Sequence, residues 1–315
     1  MRKFKTEESS GVIDILQDAH DFISQNKIDS DISLSSLNSM LIEEIKSPDN
    51  FTVSLHYDRE SNEIVMAVKG MTPSIVATKA TGEEYLELCK SIGVVDEKDF
   101  NLSLSKKFDG VTARIFAITQ PISDYPNITI SSVKSPPTVW DNPEIDRIIK
   151  EHLAKSNKGF LLIGGSGAGK TYFMNYLLKE LHGDTEDKVA LVEEFAEIIA
   201  PNKATSRLIV PAVKPGEERL LKYITEQSNL MRLDSLYIGE IKGAEAWSFL
   251  MNLSSGTRGG ATIHGENIRA GLKRFEGLAQ LDEAAPEAIV SDMISKSIAY
   301  VIYLENRRIR AISRL

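Results

Sequence analysis

The most informative part of the chain reads Phe160-Leu161-Leu162-Ile163-Gly164-Gly165-Ser166-Gly167-Ala168-Gly169-Lys170-Thr171. Its first four residues are the apolar run of a buried strand, and apolar residues recur at helical spacing over residues 172–181. The glycines between them satisfy the G-x-x-x-x-G-K-[ST] pattern of a P-loop, which joins a strand to a helix. Glycine-rich turns let backbone N–H groups surround phosphate oxygens, and the helix N-terminus adds a favourable dipole. This part of the chain therefore predicts a nucleotide site.

The P-loop pattern assigns a task to each of its residues. The expected nucleotide-binding residues are Gly164, Gly165, Ser166, Gly167, Ala168, Gly169, Lys170 and Thr171. Lys170 is predicted to reach the β and γ phosphates, and the Thr171 hydroxyl is predicted to bind Mg²⁺. The alternative is a flexible turn without a ligand, which the strand before the loop and the helix after it disfavour.

Three further apolar runs follow the P-loop and end on polar residues. Residues 189–192 lead into Glu193, residues 236–238 lead through Gly239 into Glu240, and residues 261–263 lead into His264. Apolar runs that alternate with helical stretches predict a parallel sheet covered by helices. Since ligands bind at the carboxyl ends of such strands, these polar residues are expected to line the nucleotide site.

Glu240 is the first candidate for the catalytic carboxylate and a second candidate for Mg²⁺ binding. A carboxylate at the end of a neighbouring strand can organise the metal's water or the attacking water. Glu193, Glu194 and Glu197 could orient the same water, or they could form a solvated acidic helix start. His264 could donate a hydrogen bond to the γ phosphate, although a lone histidine is more often structural.

The first third of the chain has a different pattern. A helix is predicted over residues 11–24, a strand hairpin over residues 51–55 and 63–68, and another helix after a cap at Thr81. Two more strands are predicted over residues 110–119 and 127–133, which makes the region a small α+β domain. Paired prolines then break the pattern, so we predict an N-terminal domain at 1–134, a linker at 135–146 and a P-loop domain at 147–315.

Composition narrows the possible classes of protein. With 42% hydrophobic and 26% charged residues among 315, the chain is an ordinary globular protein of two domains. The formal net charge of −8 predicts no strong nucleic-acid binding, because that affinity depends on Lys and Arg. The sole cysteine, Cys89, excludes an internal disulfide. We expect no secretory signal and no membrane span, since no long apolar run occurs.

Four ordered blocks in the C-terminal part resemble the secretion ATPases of type II and type IV systems. The blocks are the P-loop as Walker A, residues 193–197 as the Asp box, residues 238–246 as Walker B and residues 256–264 as the His box. This superfamily includes VirB11-like conjugation ATPases, pilus extension and retraction motors, and general secretion ATPases. The resemblance covers residues 110–315, and the short N-terminal domain together with the total length favours the VirB11 group.

The resemblance implies a fold, an activity and partners. It implies an α/β, RecA-like P-loop domain preceded by a smaller α+β domain, and Mg²⁺-dependent ATP hydrolysis in a homo-oligomer, a hexameric ring. It implies a cytoplasmic protein held at the inner face of the cytoplasmic membrane by secretion, conjugation or pilus components. Arginines from the N-terminal domain complete the site in such families, and Arg114 is the candidate here, with a surface strand arginine as the alternative.

Several positions depart from the family pattern. Glu194 replaces an aspartate in the Asp box, Thr257 replaces the first histidine of the His box, and Ser131 replaces an arginine of the N-terminal domain. These departures leave three hypotheses. The first is an ATP-driven motor for type IV secretion or conjugation, with a pilus motor as its variant. The second is a non-catalytic, nucleotide-responsive structural subunit, and the third is a nucleic-acid motor, which the acidic charge disfavours.

Overall fold

The computed structural model describes residues 27–29, 33–47, 49–70, 74–94, 101–119, 122–140, 142–210 and 220–315. The chain divides into two compact units between Ser132 and Val133. The helix predicted over residues 11–24 lies outside the described residues. The predicted domain limits, 1–134 and 147–315 with a linker at 135–146, stay a prediction.

The described part of the first unit is a mixed sheet with helices packed on it. Its elements are β1 (Lys27–Asp29), α1 (Leu34–Lys46), β2 (Asn50–Asp58), β3 (Glu63–Gly70), β4 (Ser74–Lys79), α2 (Gly82–Ser91), β5 (Asn101–Phe108), β6 (Val111–Ile118) and β7 (Asn127–Ser132). The strand order is β1-β4-β3-β2-β7-β6-β5. β1 pairs with β4 in parallel, and the other neighbours are antiparallel. The predicted hairpin is present as β2 and β3.

Alternation along the strands builds the core of the first unit. β6 buries Ala113, Ile115 and Ala117 and leaves the residues between them half-exposed. α1 adds Leu37 and Leu41 from one face at a spacing of four residues. α2 begins at the predicted cap, where the Thr81 hydroxyl accepts the Glu84 N–H at 3.2 Å and the Glu84 carboxylate accepts the Thr81 N–H at 2.7 Å.

The second unit contains the predicted parallel sheet. Its elements are α3 (Pro143–Lys155), β8 (Gly159–Gly164), α4 (Lys170–His182), β9 (Val189–Glu193), β10 (Ser206–Ile209), α5 (Leu220–Gln227), a 3₁₀ turn (Ser228–Met231), β11 (Ser235–Ile238), α6 (Glu245–Ser254), β12 (Arg258–His264), α7 (Ile268–Ala279), α8 (Glu287–Ser297), β13 (Ile298–Glu305) and β14 (Arg308–Arg314). The strand order is β10-β9-β11-β12-β8-β13-β14, and every pair except β13 and β14 is parallel.

Helices cover both faces of this sheet. Leu161 and Ile163 of β8 pack in a cluster with α6, α7 and α8, whereas Phe160 and Leu162 pack on the other face with α3 and α4. A strand buried on both faces reads as an unbroken apolar run, which explains why the sequence predicts it well. α3 begins inside the segment predicted as a linker, with the Asn142 side chain as its cap. None of the described helices combines the length and apolar content needed to cross a membrane.

Candidate functional site

The candidate site lies at the carboxyl ends of four adjacent strands of the second unit. The order β9-β11-β12-β8 places the end of each strand next to the following one. Glu193 ends β9, Glu240 follows β11, His264 ends β12, and the P-loop follows β8. The Thr262 hydroxyl donates to the Gly239 carbonyl at 2.6 Å, which ties the end of β11 to β12. Strands that are far apart in sequence thus bring the predicted residues to one edge.

The P-loop adopts a backbone that requires glycine at two positions. Gly167 has a φ of +71° and Gly169 has a φ of +92°, both in the left-handed region that side chains disfavour. Gly169 is also the N-cap of α4, so the helix starts directly at Lys170. Several backbone N–H groups at this helix start have no partner within the helix and are available to an anion.

Lys170 is buried within the loop that it follows. Its ammonium donates to the carbonyl oxygens of Gly164 and Gly165, both at 2.8 Å, and lies 3.3 Å from His264 Nδ1. Burial lowers the pKa of Lys170 to about 8, although the nearby Glu240 carboxylate raises it. A lysine held this way remains mostly charged at neutral pH and points along the loop towards β12.

His264, Glu240 and Lys242 continue the contacts from Lys170. His264 Nε2 lies 2.6 Å from Glu240 Oε1, and Lys242 Nζ lies 3.1 Å from Glu240 Oε2. Lys242 also donates to Glu194 Oε2 at 2.7 Å. Burial lowers the pKa of His264, and the charge of Lys170 lowers it further, so the ring is neutral at pH 7. Its Nε2–H therefore donates to Glu240, and its Nδ1 accepts from Lys170.

Lys242 is fixed by its own loop as well as by the carboxylates. The buried Glu245 carboxylate accepts the backbone N–H groups of Lys242 and Gly243. Burial by itself would lower the pKa of Lys242, but hydrogen bonds and charges from Glu194 and Glu240 outweigh it and raise the pKa. Lys242 is therefore a permanent cation between two carboxylates.

Glu193 occupies a different environment from Glu240. Its side chain is 1% exposed, and Oε1 accepts the backbone N–H groups of Glu197 at 2.9 Å and Ile198 at 2.7 Å. Arg207 of β10 lies 3.1 Å from Oε2. Burial raises the pKa of Glu193 to about 7, against the hydrogen bonds and the Arg207 charge, which lower it. Glu193 therefore organises the loop that follows β9.

α4 also holds the loop that carries Glu194 and Glu197. The Asn175 side chain donates to the Glu197 carbonyl at 3.2 Å and accepts the Ile199 N–H at 2.8 Å. Glu194 and Glu197 are both half-buried. The helix that starts at the P-loop thus sets the position of the Asp-box segment.

Arg114 belongs to the first unit. It lies in the middle of β6, between Ser105 of β5 and Ser131 of β7. Because the neighbouring Ala113 and Ile115 face the helices, Arg114 lies on the opposite face of the sheet. Its role, in the site or as a surface arginine, stays a prediction.

Sequence reasoning did not assign three residues that the structure brings into this edge of the sheet. Lys242, Arg207 and Asn175 are charged or polar partners of the predicted glutamates. Lys242 stands two residues after Glu240, so its position alone could have suggested a partner. Arg207 and Asn175 carry no comparable signal, because their contacts depend on how β10 and α4 pack.

Oxygen ligands suitable for magnesium are present at this edge. Thr171 follows Lys170 in the first turn of α4, and the Glu240 carboxylate, a quarter exposed, is linked to Lys170 through His264. Mg²⁺ in nucleotide sites is bound by one or two such oxygens together with phosphate oxygens and water. The hydroxyl and the carboxylate therefore fit the ion.

Comparison with known proteins identifies a family and several relatives. The protein family described as type II/IV secretion system protein matches residues 140–309, more than half of the chain. A Mycobacterium tuberculosis (strain H37Rv) protein named for conjugal transfer is 32% identical over 139 residues, 42% of this chain and 39% of that protein. VirB11 of Rhizobium radiobacter is 25% identical over 168 residues, 52% of this chain and 48% of that protein. Each match spans less than half of the curated relative.

The fold resembles solved structures over most of the chain. The X-ray structure of the Legionella pneumophila ATPase DotB superposes with a TM-score of 0.61, covering 90% of this chain and 81% of that chain at 16% identity. At this identity the likeness concerns the fold alone. It confirms the predicted class, an α/β RecA-like P-loop domain preceded by a smaller α+β domain.

Proposed function

Since the chain belongs to the type II/IV secretion system protein family, we propose that it is a VirB11-like ATPase that hydrolyses ATP with Mg²⁺. One observation carries the proposal. The P-loop lysine, Lys170, contacts His264, and His264 contacts Glu240. A phosphate-binding cation and a candidate catalytic carboxylate are thus separated by a single side chain, which suits a site where a terminal phosphate is bound and cleaved.

The residues of the P-loop have separate tasks in this proposal. Residues 164–171 surround the phosphates, and the Lys170 ammonium exchanges the carbonyls of Gly164 and Gly165 for β and γ phosphate oxygens. Thr171 and Glu240 hold Mg²⁺ directly or through water. When bound, the ion supplies charge neutralisation and polarises the phosphoryl group.

The polar residues at the strand ends act on the water and the γ phosphate. Glu240 orients the attacking water and accepts its proton, and neutral His264 directs its Nε2–H at Glu240 or at the γ phosphate. Glu194 and Glu197 stand on the loop next to them and contribute negative charge that orients the same water. Glu193 is the remaining candidate, but its burial and its bond to Arg207 favour a positioning role.

We propose that the protein works as a hexameric ring in a type IV secretion or conjugation system. The conjugal-transfer name of the Mycobacterium tuberculosis relative and the similarity to VirB11 support this setting. In the ring, Arg114 of the N-terminal domain stabilises charge on the phosphates. The ring associates with inner-membrane components of the machine from the cytoplasmic side, and a pilus motor is the variant of the same activity.

Magnesium-dependent ATP hydrolysis of the purified full chain tests the proposal. Wild-type protein is expected to release phosphate from ATP, and Lys170→Ala is expected to lose nucleotide binding and turnover. Lys179→Ala removes an exposed lysine from the same helix and is the matched control, with wild-type activity. Binding without turnover, in the presence of partner components, would instead favour the nucleotide-responsive structural subunit, which the buried Glu193 and the Thr257 replacement support.

A further inference from the structure

The turn between β13 and β14 packs directly on the P-loop. Glu305 pairs with Arg308 across the hairpin, so Asn306 and Arg307 are its two central residues. The Arg307 N–H donates to the Ala168 carbonyl at 3.0 Å. A Cβ on Gly169 would lie 2.9 Å from Arg307 Cγ, closer than side chains tolerate. The loop and the turn are therefore fitted to one another.

Arg307 stands where this turn favours glycine. Asn306 has a φ of +49° and Arg307 a φ of +57°. Two-residue hairpin turns with positive φ at both positions favour the pair Asn-Gly, so Asn306 is suited and Arg307 is strained. Strained non-glycine residues concentrate at ligand sites, where their side chains are needed.

The Arg307 guanidinium lies over an aromatic ring of the P-loop helix. Its central carbon is 5.0 Å from the centre of the Tyr172 ring, within the range of a cation–π contact. Tyr172 directly follows Thr171 and in turn contacts the buried Trp140, with ring centres 5.7 Å apart. The two half-buried side chains thus hold a planar cation beside the loop on a supported aromatic surface.

The strand order indicates on which side of β8 the γ phosphate and the base of a bound nucleotide would lie. Lys170 faces His264 and Glu240, which lie on the β12 side of β8, so the γ phosphate belongs on that side. The Arg307 turn lies on the opposite side, beyond β13. We propose that Arg307 and Tyr172 form the surface on which the base of a nucleoside di- or triphosphate stacks, with the guanidinium between the base and the ring. The inference rests on the proposed function, because it requires a nucleotide in the P-loop.

Calorimetric titration of the full chain with two magnesium ligands tests this base site. ATP carries a base, and inorganic tripolyphosphate carries the same phosphates without one. Arg307→Gly suits the turn and should keep the fold, and we expect it to weaken ATP binding about tenfold. Tripolyphosphate binding should change by less than about twofold, because stacking contributes nothing to it. Arg307→Lys keeps the charge without the plane and should fall between glycine and wild type.

Arg310→Ala is the matched control, because it removes an exposed arginine from β14 and should leave ATP binding unchanged. An equal loss for both ligands in Arg307→Gly would show a phosphate contact and would overturn the base site. No loss for either ligand would also overturn it. A wild-type chain that binds neither ligand would refute the proposed function and the base site together, whereas the first two results refute the base site alone.

Discussion

The two ends of α4 contain the same kinds of side chain in different surroundings. At its start, Lys170 contacts His264, which donates to Glu240. At its end, His182 Nδ1 donates to Asp187 at 2.9 Å, and Arg258 lies 3.1 Å from the same carboxylate. Each end thus joins a histidine, a carboxylate and a cation. The helix has 13 residues, so the two groups are separated by about 18 Å.

Solvent access distinguishes the two groups. The His264 side chain is 38% exposed, whereas the His182 side chain is 3% exposed. His182 Nε2 accepts from the Tyr237 hydroxyl at 2.7 Å, so both of its ring nitrogens are occupied within the protein. Burial lowers the pKa of His182 and raises that of Tyr237, which keeps both groups neutral. The hydrogen-bond network around His182, at the amino end of the sheet, is therefore satisfied within the protein. The network around His264, at the carboxyl end, is partly exposed and accessible to a ligand.

The comparison shows that residue types alone do not identify a site. Both groups could be described as a histidine–carboxylate pair near a cation. Only the group at the carboxyl ends of the strands also adjoins a phosphate loop and remains partly open. We therefore expect substitutions at the start of α4 to change activity, and substitutions at its end to change stability.

The largest expected effect is that of Glu240→Gln. The amide keeps the shape of the side chain but cannot accept a proton from water, so kcat for ATP hydrolysis should fall about 10²- to 10⁴-fold. The unfolding temperature should stay near the wild-type value, because Glu240 is partly exposed. Steady-state phosphate release measures the loss, with Glu266→Gln as an exposed carboxylate control from the nearby loop. Unchanged turnover in Glu240→Gln would transfer the catalytic role to another glutamate.

Glu193 lies at the carboxyl end of the sheet but is buried like His182. It therefore tests whether position in the sheet or burial decides if a substitution changes activity or stability. Its pKa of about 7 in the folded protein exceeds the ordinary value of 4.5, so the native state retains a proton that the unfolded chain releases. Stability should therefore be highest below pH 4.5 with respect to this group and should fall as pH rises to about 7. The total loss is about 3 kcal/mol of unfolding free energy.

Urea denaturation at pH 5, 6, 7 and 8 measures this pH dependence. Glu193→Gln should flatten the decline between pH 5 and 7, because the amide does not titrate. Glu186→Gln changes an exposed carboxylate just before β9 and should keep the wild-type slope. Equal slopes in wild type and Glu193→Gln would mean that the Arg207 pair keeps Glu193 ionised throughout.

At the other end of α4, Tyr237→Phe should lower stability without lowering activity. The change leaves the buried His182 Nε2 without its donor, at a cost of about 1–3 kcal/mol of unfolding free energy. ATP turnover per folded molecule should stay within about twofold of wild type. Tyr223→Phe alters a mostly exposed tyrosine of α5 and should leave stability unchanged. A clear loss of kcat in Tyr237→Phe would mean that the two ends are coupled through the helix.

The sequence predicts the central strands and the P-loop because burial and phosphate binding both restrict residue choice. β8, β9 and β11 are buried along their whole length and each contains an unbroken apolar run, and Gly167 and Gly169 need left-handed backbone. β10, β13 and β14 were not predicted. β10 and β14 lie at the two edges of the sheet and contain only exposed and half-buried residues, so no continuous apolar run marks them. β13 was missed although most of its residues are apolar and buried.

The site was predicted as a set of residues, but not as a set of contacts. Ordered motifs name Glu193, Glu240 and His264, yet nothing in their spacing distinguishes the buried glutamate from the partly exposed one. In the structure Glu193 also contacts Arg207, which reaches it across the pairing of β9 with β10. Contacts between elements distant in sequence depend on packing, which periodicity does not encode.

The smallest expected effect is that of replacing Lys242. This substitution tests whether the Lys242 ammonium only stabilises the fold or also orients Glu240. Lys242→Met removes the ammonium that Glu240 and Glu194 share, so we expect kcat to fall about tenfold, or about 1.4 kcal/mol, with KM nearly unchanged. Lys242→Arg should restore most of the rate, and Lys273→Met, at an exposed position of α7, should have no effect. A loss of stability with an unchanged kcat would assign Lys242 to the fold, and the carboxyl end would then resemble the amino end more closely than its exposure suggests.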